Sequence, residues 1–93
     1  MVEKSKTRIQ VASVESASQN EVVCAVRNIG AEVCTGMQLS PPESPDIIVQ
    51  ISKIIWYGRV VNSLEHAYTA KITLTGAGAD RITVGETLES ASH

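Results

Sequence analysis

A chain of 93 residues makes one domain with a small core, and 43% hydrophobic against 19% charged residues is a globular composition. A net charge of −2, with Trp56, Tyr57 and Tyr68 as the only aromatics, excludes both the basic field and the stacking platform of an autonomous nucleic-acid binder. No apolar run approaches the roughly 20 residues of a membrane span, and segment 1–8 is charged with no apolar stretch to serve as a signal peptide. A soluble cytoplasmic protein without membrane contact is expected.

The apolar residues are biased. Eleven Val and nine Ile stand against four Leu and no Phe. Side chains branched at Cβ are stiff and fit a pleated surface, so the prior is all-β. In chain order, Arg8-Ile9-Gln10-Val11 alternates and opens the first strand, which continues as far as Val14; residues 16–20 are a small polar break. Residues 21–26 are a short apolar run, predicting a strand buried on both faces. Asn28-Ile29-Gly30 predicts a hairpin turn with Gly30 in the left-handed position. Residues 31–39 predict a bend at Thr35-Gly36 and then a third strand. All three prolines fall in residues 40–46, a stiff loop that divides the chain without making a second domain.

Residues 47–57 form the longest apolar segment. Their length allows a helix, but Val49, Ile51, Ile54 and Ile55, with prolines before and Gly58 after, favour a strand. Residues 59–70 are a connection packed on the core by Val60, Val61 and Leu64. Ile72 and Leu74 alternate with Thr73 and Thr75. Gly76, Gly78 and Asp80 break the ladder, and Ile82 and Val84 resume it before Gly85 and Leu88. The expected fold is a small closed Greek-key β-barrel of about six strands over residues 8–89, with flexible tails at 1–7 and 90–93. Closure is favoured because so apolar a sheet would aggregate through open edges.

The order of these signals resembles the β-barrel second domain of the elongation factor Tu family of translational GTPases. Val11-Ala12-Ser13-Val14 stands where that domain has an I-x-x-V strand. Residues 20–30 and Cys34-Thr35-Gly36-Met37 are similar to its G-x-V-x-x-G-x-V-x-x-G segment and K-V-G-D bend. Ile51-Ser52-Lys53-Ile54 matches its V-x-x-I strand, and residues 72–88 resemble its closing V-x-L-x-L-x-G and I-x-x-G-x-x-L. Asn20, Ala25 and Ala70 stand where the family has glycines, and one extra residue separates Gly30 from Gly36. There is no G-x-x-x-x-G-K-[ST] loop, so the GTPase chemistry does not carry over. The resemblance implies a stand-alone docking barrel that binds a protein or ribonucleoprotein partner.

The residues offer little chemistry. Gly76-Ala77-Gly78 lacks the third glycine and the following helix of a dinucleotide fingerprint, and reads as a turn. A hairpin at residues 28–30 would set Cys24 opposite Cys34, within reach of a disulfide, but two reduced thiols are favoured in the cytoplasm. Their spacing is no zinc pattern. His66 reads as a solvated loop histidine, and Asp46, Asp80, Glu86 and Glu89 could pair only through the fold. No catalytic residue, metal or cofactor is expected, and the protein is read as a non-enzyme. The candidate contact sites are the rim 56–59, with Trp56, Tyr57 and Arg59, and the loop 41–46, with Pro42 and Glu43. The alternative is an adaptor barrel that forms a homo-oligomer through an edge strand.

Overall fold

A computed structural model describes residues 6–90. Nine strands are present: β1 (Arg8–Ser18), β2 (Glu21–Asn28), β3 (Val33–Cys34), β4 (Gln38–Ser40), β5 (Val49–Trp56), β6 (Arg59–Val61), β7 (Ser63–Leu64), β8 (Thr69–Thr75) and β9 (Thr87–Ser90). A single 3-10 turn, Ala79–Arg81, interrupts them. Among the described residues no helix is long and apolar enough to cross a membrane.

All ladders are antiparallel. The main sheet runs β4, β9, β1, β2, β8, β5, and a further pairing of β4 with β5 closes it into a six-stranded barrel. β4, β5 and β8 are successive neighbours, and β9 returns beside β4, which is a Greek key. β6 is an extra strand, a hairpin partner of β5, and β3 pairs with β7 in a separate two-stranded patch. The expected all-β closed barrel is what forms.

The interior is filled by Ile and Val from β1, β2, β5 and β8, with Leu74 of β8, Leu39 of β4 and Leu88 of β9 completing it. In β2 the inward residues are Val22, Cys24 and Val26, while Val23 and Ala25 between them are only half-buried. This corrects the expectation of a strand buried on both faces. In β5 the inward residues Ile51 and Ile54 are three apart, which plain alternation forbids. A β-bulge resolves it: Ile51 faces Leu74 and Lys53 faces Thr73, so Ser52 is the extra residue. Two more irregularities, at Ala12 and Glu15, bend β1 along β2 and carry it past the expected polar break to Ser18.

Four further expectations are corrected. Residues 28–30 are not a hairpin turn, since β2 pairs with β1 and β8 rather than with β3. The fully buried Asn28 redirects the chain. Its Nδ2 donates to the carbonyls of Ala31 (3.0 Å) and Leu64 (2.8 Å), and its Oδ1 accepts from Gly30 N (2.9 Å). Gly30 is not left-handed; it is needed for close approach, because a Cβ there would overlap the Lys6 carbonyl and lie 2.8 Å from Arg8 N. Ile82 and Val84 do not resume a strand. Ile82 plugs the core beside the 3-10 turn, Val84 is 61% exposed, and Gly85 N and Glu86 O instead bond Val11 O and Val11 N. Val60 points outward rather than packing on the core, although Leu64 is buried as expected.

Of the expected tails, residues 1–5 and 91–93 lie outside the described residues. Lys6 O accepts from Ala31 N, and Ser90 N donates to Thr7 O.

Candidate functional site

β5 and β6 are joined by a two-residue turn, Tyr57 and Gly58, both with positive φ (52° and 76°). That is the requirement of a type I′ hairpin turn, whose twist matches the flanking strands. Glycine fits there freely; tyrosine does not. Tyr57 is nonetheless placed at the tip, 87% exposed. Trp56 and Arg59 face each other directly across the hairpin, so their side chains leave from the same face.

The aromatic rings assemble into one cluster. Tyr57 meets Trp56 edge to face, with centroids 4.9 Å apart, and Trp56 stacks on Tyr68. Trp56 also packs against the edge of the core. Tyr68 arrives from the turn that feeds β8, where Tyr68 O accepts from Asn28 N (2.9 Å) and Ala67 N donates to Asn28 O (2.7 Å). Trp56, Val61, Leu64, Glu65 and Tyr68 border a depression of about 350 Å³. Val60, 68% exposed, projects from the opposite face of β6 to Arg59 and Val61, and the outer edge of β6 has no strand partner among the described residues.

The candidate residues therefore divide. Trp56, Tyr57 and Arg59 share one surface. Pro42 and Glu43 sit in the loop before β5, whereas the aromatic turn follows it. Eight residues of strand separate the two, roughly 25 Å at about 3.3 Å per residue. Pro42 and Glu43 border a different groove, of about 310 Å³, with Gly85, Glu86 and Thr87. Sequence reasoning missed Tyr68, because nothing local signals its position beside Trp56.

The remaining candidates are accounted for by local contacts. Cys24 faces Val14 and Ile72, Cys34 faces Ser63, and both thiols are free. Burial, and then the charge of Glu15, push the Cys24 thiol up to about 11. His66 is exposed, and its Nδ1 donates to the Gly30 carbonyl (2.9 Å). Glu86 Oε1 accepts from Thr83 N (3.1 Å), and Asp46 lies 3.9 Å from Arg81. Glu89 bridges Lys6 (3.0 Å) and Arg8 (2.9 Å). The hydrogen bond from Lys6 holds its carboxyl below the usual range; partial burial opposes this, and the charges of Lys6 and Arg8 reinforce it.

The barrel superposes on translation elongation factor SelB from Methanococcus maripaludis. The TM-score is 0.77 for the apo form and 0.78 for the complex with the GTP analogue GppNHp. Identity is 15% in each case, over 91% of this chain and 19% of SelB. The fold is that of a translation-factor barrel. At this identity the likeness is one of architecture, and the chain spans about a fifth of SelB's length. No protein-family model matches the sequence, and no curated protein matches it. Within this barrel, the aromatic turn occupies the hairpin of β5 and the extra strand β6.

Proposed function

We propose that this chain is a non-catalytic, cytoplasmic docking module that holds a protein or ribonucleoprotein partner through the aromatic surface of Trp56, Tyr57, Tyr68 and Arg59. One observation carries the reading. Among the described residues the only non-glycine residues with left-handed φ are Tyr57 (52°) and Ala67 (76°), and both adjoin this cluster. Such backbone is unfavourable by about 1–3 kcal/mol per residue and persists where surrounding structure or function requires it. An exposed aromatic beside an arginine is also the composition of an interface anchor. The likeness to a translation factor makes ribosomes and tRNA the first partners to test.

The test is co-sedimentation with ribosomes, and tRNA capture, at low salt with the wild type and Tyr57→Ser. Loss of binding in the variant, with folding intact, supports the reading. Failure of the wild type to bind either removes the translational branch. Equal binding by both proteins removes the aromatic surface.

A second reading has its own observation: the unpartnered outer edge of β6 with Val60 exposed, a template for strand pairing between two copies. Light scattering across a concentration series, with Val60→Lys as the comparison, separates a self-associating adaptor from a monomer.

A further inference from the structure

The depression beside Trp56 has a chemistry of its own. Trp56 and Tyr68 present ring surface to it, Val61 and Leu64 add aliphatic surface, and Ser63 and Glu65 are its polar lining. One face of each ring is taken up by the stack between them. Trp56 is half-buried and Tyr68 is 45% exposed, so ring surface is left for an outside group. The polar side is set by the patch of β3 and β7. Val33 faces Leu64, Cys34 faces Ser63, and Thr35 N donates to Asn62 O (2.9 Å). Continuing that register by one pair sets Glu32 opposite Glu65. Bonded and non-bonded pairs alternate along an antiparallel ladder. With Thr35 and Asn62 bonded, Glu32 and Glu65 fall on a non-bonded pair, the kind whose side chains are closer.

Two carboxylates are thus opposed on one face of a two-stranded patch, an arrangement that destabilises a sheet. Both are exposed, and neither forms an ion pair among the described residues, where the bridges take Glu15, Asp46 and Glu89 instead. Glu65 is the one charged residue lining the depression. Arg59 stands opposite Trp56 at the tip of the hairpin and does not line it. His66 adjoins Glu65 in sequence but turns its Nδ1 to the Gly30 carbonyl. Glu32 and Glu65 outweigh Arg59, so the surface is locally acidic on a chain whose net charge is −2.

We infer that this depression receives an arginine side chain of a protein partner. A guanidinium stacks on the faces of Trp and Tyr, and its fork of N–H donors matches a carboxylate. Glu65 supplies that carboxylate, Glu32 adds to the attraction, and Val61 and Leu64 suit the aliphatic stem. Aromatic surface alone would serve a nucleic-acid base equally well, but the two carboxylates repel the phosphates that accompany a base. The inference rests on the docking role proposed for the aromatic surface and narrows its partner to a protein.

Trp56 is the chain's one tryptophan, so its fluorescence reads the depression directly. The test is a fluorescence titration of the full chain with the blocked peptide acetyl-Gly-Gly-Arg-Gly-Gly-amide and with the same peptide carrying citrulline or lysine, chloride holding ionic strength constant. The expected result is a saturable change with the arginine peptide and weaker binding of the lysine peptide. Citrulline, which keeps the shape without the charge, and Glu65→Gln, with folding intact by circular dichroism, each weaken binding about fivefold, the upper range for an exposed ion pair. A non-saturating response, equal binding of the citrulline or lysine peptide, or unchanged affinity in Glu65→Gln overturns the assignment. Tighter binding of a uridine hexanucleotide overturns it in favour of RNA. Ribosome capture that depends on Tyr57, together with a silent arginine titration, overturns this inference alone and leaves the docking surface standing. A saturable, charge-dependent titration without capture of ribosomes or tRNA removes those partners and supports the arginine site.

Discussion

Trp56 stacks on Tyr68 with ring centroids 5.3 Å apart and planes 21° from parallel. Trp56 directly precedes the left-handed Tyr57, and Tyr68 directly follows the left-handed Ala67. The two unfavourable backbone residues thus flank one stacked pair. Stability alone would place glycine or asparagine at both positions, since each tolerates positive φ. Their concentration at one surface is what distinguishes it from the rest of the barrel.

Replacing Tyr57 by asparagine creates the Asn-Gly pair that a type I′ turn prefers. Relief of the left-handed tyrosine is worth about 1 kcal/mol, and the lost edge contact with Trp56 takes back about 0.5 kcal/mol. Tyr57→Asn is therefore expected to be slightly more stable than the wild type in urea denaturation while losing partner binding. A clear loss of stability would mean that the tyrosine is retained for the fold and not for docking.

The acid limb of the stability curve should depend on Glu89. Its folded carboxyl titrates below the ordinary value, chiefly through the hydrogen bond from Lys6. The ionised form therefore favours the folded state. Its contribution is complete above the unfolded pKa, near 4.3, and is lost as pH falls through the folded value. The bridges are partly exposed, so the total stays under about 1 kcal/mol per pair. Glu89→Gln should flatten stability against pH below about pH 4.5, as read by denaturation at a series of pH values. An unchanged slope would show the bridges to be energetically idle.

The two cysteines should behave differently. Cys24 is fully buried and Cys34 half-buried. Iodoacetamide is expected to label Cys34 in the native protein and Cys24 only after unfolding, with no disulfide found. The raised Cys24 pKa, about 11, also predicts an alkaline limb. The neutral thiol is favoured in the fold, so stability is unaffected below the unfolded pKa, about 8.5, and falls as pH rises through about 11. Cys24→Ala should remove that limb, at a cost in core packing. Rapid native labelling of Cys24 would contradict its burial.

Much of the barrel was legible because its strands are local. The alternation of Ile72 and Leu74 marks β8, and the β-branched run marks β5. The closure was not legible in detail. It rests on β4, three residues long, touching both β5 and β9, and no local pattern names those partners. The expected hairpin at residues 28–30 failed for a long-range reason: the Asn28 side chain bonds Leu64 O, 36 residues away. The site divides in the same way. Trp56, Tyr57 and Arg59 share one turn and could be read together. Tyr68 joins them only through the β7 to β8 connection.

The bulge at Ser52 makes a prediction with two opposite arms. Ile51 and Ile54 both face inward because Ser52 adds one residue without advancing the register on β8. Deleting Ser52 leaves Ile51 and Ile54 two apart, the native period of a strand, with Leu74 and Ile72 still their partners. The barrel should survive with reduced stability, since the local bend is lost. Deleting Gln50 has the reverse effect. Val49 and Ile51 become adjacent, and one of them must turn out of the core. Exposing a fully buried Val or Ile forfeits about 1.5–3 kcal/mol, and the ladders of β5 to β4 and β8 are misregistered as well. That is a large fraction of the stability of a domain this small. Circular dichroism and urea denaturation of the two deletions should show a folded barrel lacking Ser52 and a protein lacking Gln50 with no cooperative transition. If both deletions unfold alike, or the Gln50 deletion is the more stable, the register drawn through β5 is wrong.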